Sequence, residues 1–193
     1  MNSPLTLSGK DKIPGDIALW FFLCAELAVF GLLIAGFSLV RLRQPEMFQA
    51  GLQELHVSAG VINTMALLTG SYLVATGVNK LRIQGDGCAR YFFAASGCGM
   101  IYVISKVSEY QTLYSNGYSL HYDIFFGFYF FTTFFHFLHV LAGMMILIIL
   151  GRWLKKTDPD DEQKLKAAES AASYWHMVDL VWIVLFPALY VLR

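Results

Sequence analysis

The segment IFFGFYFFTTFFHFLHVLAGMMILIIL, Ile124–Leu150, runs for 27 residues without a lysine, arginine, aspartate or glutamate. About 20 predominantly apolar residues take a helix across the hydrocarbon core of a bilayer, so this run can span with tilt. Four more apolar blocks qualify on the same grounds: Ile17–Val40, Ser58–Val78, Tyr91–Glu109 and Ser173–Leu192. The runs are continuous and do not alternate, which excludes a membrane β-barrel and leaves helices to satisfy the backbone in lipid. Composition agrees: 56% of residues are hydrophobic, only 15% are charged, and mean hydropathy is +0.53. The expected fold is all-α, a polytopic five-transmembrane-helix bundle forming one domain over residues 1–193. The leader Met1–Asp16 is polar and lacks a short apolar core before a cleavage site, so Ile17–Val40 reads as a permanent span.

Basic residues outside the spans set the orientation. The leader (Lys10, Lys12), the second loop (Lys80, Arg82, Arg90) and the fourth loop (Arg152, Lys155, Lys156, Lys164, Lys166) hold ten. The other side holds three, Arg41, Arg43 and Arg193. This bias predicts a cytoplasmic N-terminus and a periplasmic C-terminus, in a bacterial inner membrane. The formal net charge is zero, which gives no general attraction to nucleic acid. Cys24, Cys88 and Cys98 form no CxxC pair, so disulfides and thiolate metal sites are not expected. Asp158-Pro159 with Asp160, Asp161 and Glu162 predicts a helix start, extending the fifth span into solvent.

The second span is rich in small and hydroxyl residues (Ser58, Gly60, Thr64, Gly70, Thr76, Gly77), which suits a central place in the bundle, with Asn63 as an interhelical hydrogen bonder. The phenylalanines of the fourth span surround it on every side, as suits contact with lipid or a partner's transmembrane wall.

Ionisable residues inside spans are the functional candidates. Glu26 lies about 14 Å, and His139 about 16 Å, from the cytoplasmic ends of their spans at 1.5 Å per residue. Depth therefore lets Glu26 pair with His139, and more loosely with His136 one turn further out. The pair reads as a proton-holding site or as an interhelical clamp, with the clamp favoured. One face cannot supply both axial ligands of a haem, and a metal would need further ligands. Lys106 and Glu109, at i and i+3, form a natural ion pair near the outward end of the third span, either snorkelling at the membrane edge or contacting another subunit. His176 and Asp179 share a face where the fifth span opens, as a local salt bridge beside the interfacial anchors Trp175 and Trp182. No nucleophile with a matched base, Gly-rich phosphate loop or thiolate cluster is present, so no catalytic centre is expected. An independent proton-coupled transporter using Glu26 and His139 is the alternative.

Four stretches in order resemble subunit III of the haem–copper oxidases: LCAELAVF around Glu26, KVSEY around Glu109, FYFFTTFFHFLHVLAG with both histidines, and YWHMVDLVWIVLFPALY with His176 and Asp179. The resemblance covers essentially the whole chain. It implies an accessory subunit that binds no haem, copper or other metal itself, packed against a large catalytic haem-bearing subunit and in contact with membrane lipid. Haem with copper or non-haem iron is expected in that partner. The family's histidine motif is usually flanked by glycines, whereas Thr133 and Phe137 occupy those places here. Mitochondrial-type members have two additional N-terminal helices; a five-helix form resembles the quinol-oxidase subunit III and the proteins that accompany nitric oxide reductase.

Overall fold

The computed structural model describes residues 17–83, 87–155 and 161–191. The leader and the helix start expected at Asp158-Pro159 lie outside the described residues. The chain forms α1 (Ile17–Arg43), α2 (Pro45–Gln53), α3 (Val57–Arg82), α4 (Ala89–Ser115), α5 (Ile124–Leu154) and α6 (Asp161–Phe186), and α6 continues as a π-helical turn, Pro187–Val191. Four of these helices are long and apolar enough to cross a membrane: α1, α3, α5, and α6 with its π turn. α4 is as long as α1, at 27 residues, but carries Arg90, Lys106 and Glu109 and falls short of that apolarity. The protein is therefore a polytopic helical membrane protein, and the apolar blocks extend into longer helices than their own limits.

Local chemistry fixes the ends. α4 closes at Gly117, whose φ of 89° is left-handed: Tyr118 N–H bonds Leu113 C=O and Gly117 N–H bonds Tyr114 C=O, both at 3.0 Å. α5 opens on Asp123, whose carboxylate accepts the Phe126 N–H at 2.8 Å. The short α2 was not foreseen. Pro45 stands in its first turn, and its Phe48 packs edge-on against Phe37 and Phe125, at 4.9 and 5.3 Å between ring centroids.

α6 is the most enclosed of the apolar helices, lying against α1, α3 and α5, while α3 flanks it and α4. The centre expected for α3 thus belongs to α6. Trp175, expected as an interfacial anchor, is buried instead, in a socket of three glycines. A Cβ would lie 3.2 Å from its ring at Gly70 of α3, 3.0 Å at Gly99 of α4 and 3.0 Å at Gly143 of α5. Small residues here let three backbones close on one indole, where membrane helices gain their packing contacts. α1 sits at the edge, attached along one seam of Leu23, Phe30 and Phe37, spaced by heptads. The aromatic collar of α5 divides. Phe125 and Phe126 are in the core, whereas Phe131 and Phe134 face outward.

Candidate functional site

Glu26 and His139 meet between α1 and α5, with Oε2 and Nε2 3.2 Å apart. His139 Nδ1 lies 2.8 Å from the Phe135 carbonyl, which can only accept, so Nδ1 carries a hydrogen. In a neutral ring Nε2 is then an acceptor, and it cannot bond an ionised carboxylate, which also only accepts. A hydrogen bond between them takes one proton, either as carboxylic acid facing imidazole or as carboxylate facing imidazolium. The rings of Phe135 and Phe30 pack on the imidazole at 4.7 and 5.4 Å. The side chains remain 11% (His139) and 19% (Glu26) exposed, so the pair opens onto the edge of the bundle.

His136 goes elsewhere. Three residues turn a helix by about 300°, leaving the two histidines about 60° apart. That divergence sends His136 into the core, where it stacks on Trp182 at 5.3 Å and meets Tyr102 edge-on at 5.6 Å. Neither of its ring nitrogens has a protein hydrogen-bond partner, and Glu26 does not reach it. Asn63 is likewise buried without a protein partner, so it does not make the interhelical bond expected of it.

Lys106 and Glu109 do not snorkel. Both are buried within this chain, paired at 2.9 Å. Lys106 Nζ also donates to the hydroxyls of Tyr129 on α5, at 3.0 Å, and Tyr190 on the π turn. Tyr190 in turn donates to both oxygens of Glu109, at 2.9 and 3.0 Å. The rings of Tyr129, Tyr190, Tyr110 and Trp182 surround the ammonium at 4.9 to 5.5 Å from their centroids. All three lysine protons find acceptors, and the carboxylate is bonded on both oxygens. Sequence spacing identified the ion pair but not the tyrosines that complete it.

Midway along α6, His176 Nδ1 and Ser71 Oγ of α3 are hydrogen-bonded at 2.6 Å, and Asp179 interacts with both of them. Asp179 is buried, with Oδ1 lacking a protein partner. Arg82 and Glu169 tie α3 to α6 nearby at 2.8 Å. Among the described residues no group of three or more His, Cys, Asp or Glu side chains is placed to hold a metal ion. The arrangement can fasten helices and hold a proton; no reacting centre is assembled by the side chains described.

The family model for cytochrome c oxidase subunit III matches residues 19–192. Cytochrome c oxidase subunit 3 of Thermostichus vulcanus is 33% identical over 181 residues, covering 91% of this chain and 86% of that protein. Its counterpart from Synechocystis is 30% identical over 174 residues, covering 89% and 72%. The heme-copper oxidase subunit I+III of Aeropyrum pernix is 28% identical over 192 residues, covering 94% of this chain and 23% of that protein.

Proposed function

From the premise that this chain belongs to the cytochrome c oxidase subunit III family, we propose that it serves a haem–copper oxidase as a non-catalytic accessory subunit. The observation that carries this reading is the family match along 19–192. It sets the chain among oxidase subunits and leaves the transporter alternative without support. The partner is a catalytic subunit I bearing haem and copper. The Aeropyrum relative supports this, since its name joins subunits I and III in one protein. Because the relatives named above are oxidase subunits, oxygen is favoured over nitric oxide as the partner's substrate.

In this reading α4 spans as well, so five helices cross a bacterial inner membrane, and basic loops place the N-terminus in the cytoplasm. Glu26 and His139 clamp α1 to α5 and keep one proton at the bundle edge. The subunit's work is to stabilise the catalytic subunit, with proton uptake assisted from that pair. An affinity-tagged chain purified from its native membrane should bring down a haem-bearing large subunit whose preparation consumes oxygen. The isolated chain should show no Soret band. A haem spectrum from this chain alone would reject the reading, and consumption of nitric oxide in place of oxygen would reassign the partner.

A further inference from the structure

We propose that the groove between α3 and α6 is a water-filled inlet from the cytoplasmic side, through which protons reach the cluster of Ser71, His176 and Asp179. The inference rests on the orientation proposed above and goes beyond it, to a second proton-accessible site apart from Glu26 and His139. The groove encloses about 260 Å3, room for several waters at about 30 Å3 each. Its polar lining climbs both helices: Arg82 and Asn79 come from α3, and Glu169, Ser173 and His176 from α6, at spacings of three or four residues that share a face. Ala75, Val78 and Ala172 leave the space between them open. At the mouth Arg82 and Glu169 pair at 2.8 Å, so the two fixed charges there offset one another. The larger groove between the outward ends of α4 and α5 is of another kind, walled by Tyr110, Phe130, Phe131 and Phe134 as suits acyl chains.

The inner end of the inlet lies within the spans. Asp179 is six residues into the span that begins at Ser173, and Ser71 is seven from the cytoplasmic limit of its own, each about 10 Å deep at 1.5 Å per residue. Ionisable groups at such depth face the bundle interior or a water-filled cavity. His176 is exposed and lines the groove. Its Nδ1 is engaged by Ser71 Oγ at 2.6 Å, which leaves Nε2 for water. Behind it Asp179 is buried, with Oδ1 lacking a protein partner, and it interacts with both Ser71 and His176. Hydronium in the groove can give its proton to Nε2 and remain as water. Nδ1 then releases its own proton to Ser71 Oγ, and the serine hydrogen passes to the Asp179 carboxylate. Imidazole and hydroxyl end neutral, and the carboxylate has gained one proton.

The test uses the chain assembled in its native membrane, with Cys24, Cys88 and Cys98 replaced by serine, and compares Ser71→Cys with Tyr72→Cys. The two positions share a depth, but Tyr72 is 71% exposed and does not line the groove. The probe is a charged, membrane-impermeant methanethiosulfonate, which reacts with thiolate, a species that apolar surroundings disfavour. In inside-out vesicles Ser71→Cys should be modified about tenfold faster than Tyr72→Cys, or more. Ser173→Cys, nearer the mouth and leaving the cluster intact, should react faster still, and it reports the inlet even where Ser71→Cys prevents assembly. Adding His176→Gln to Ser71→Cys should slow modification about threefold or more, because the imidazole is the base that draws the thiol proton. Equal rates at positions 71 and 72, or silence at position 173, would overturn the inlet. Reaction from right-side-out vesicles alone would overturn the orientation on which it rests. A rate unchanged by His176→Gln would overturn the proton route through the imidazole.

Discussion

Lys106–Glu109 and Glu26–His139 each join a base to a carboxylate inside the bundle, and their surroundings differ in kind. The first is sealed, bonded to two tyrosines from other segments and ringed by aromatic faces. The second lies at the seam between α1 and α5, with both side chains partly exposed and one contact, at 3.2 Å, between them. A sealed pair is bound to its partners because nothing else can satisfy its charges. An edge pair remains accessible to whatever packs against the bundle. Position, more than residue type, separates a keystone from a working group.

The largest expected effect tests the sealed pair. Lys106→Met leaves Glu109 buried without its cation and should cost about 3–5 kcal/mol of stability, read as loss of folded protein in thermal unfolding in detergent. Lys106→Met with Glu109→Leu should recover most of that loss, because the unpaired charge goes with its partner. If the double variant is as unstable as the single one, the cage is not held together by the ion pair.

At the edge pair the effects should be smaller. His139→Leu should lower thermal stability or assembly by about 1–2 kcal/mol while leaving turnover of the intact complex nearly unchanged. Loss of turnover at unaltered stability would replace the clamp with an essential proton step. Glu26→Gln should be milder still, within about 0.5 kcal/mol, since a glutamine amide can donate to Nε2 of a neutral imidazole. An effect of Glu26→Gln as large as that of Glu26→Ala would mean that the carboxyl proton itself is required. The smallest effect is expected at His136. His136→Phe keeps a ring against Trp182 and removes two nitrogens without protein partners, so the melting transition should shift by no more than about 1 kcal/mol equivalent.

The contrast between the two histidines also marks what could be read from the sequence. Glu26 and His139 could be matched because helix rise is regular and charged residues in spans are few. Depth favoured His139 over His136 as the partner of Glu26, and they meet; that His136 would turn wholly into the core could not be read, because it depends on how α5 is rotated toward α1 and α6. Lys106 and Glu109 were visible as an i, i+3 pair. Tyr129 and Tyr190 do not stand out in a chain with 10 tyrosines and 16 phenylalanines, and the cage closes across 84 residues. The helix α2 escaped notice because it is only nine residues long and sits between two long apolar runs. α4 was read as a span because its charges lie toward the ends of an otherwise apolar block; the same charges make it less apolar than the four helices that qualify.

The indole socket carries a consequence for descent. Gly70, Gly99, Gly143 and Trp175 belong to four different helices, yet they share one volume. Among relatives these positions should drift as a set. A lineage that trades Trp175 for a smaller side chain frees room for alanine at Gly70 and Gly143, whereas Gly99 also needs Met144 to move, since a Cβ there would lie 2.8 Å from its side chain. A lineage that keeps the tryptophan should keep small residues at Gly70 and Gly143, where a Cβ would press on the ring at 3.2 and 3.0 Å.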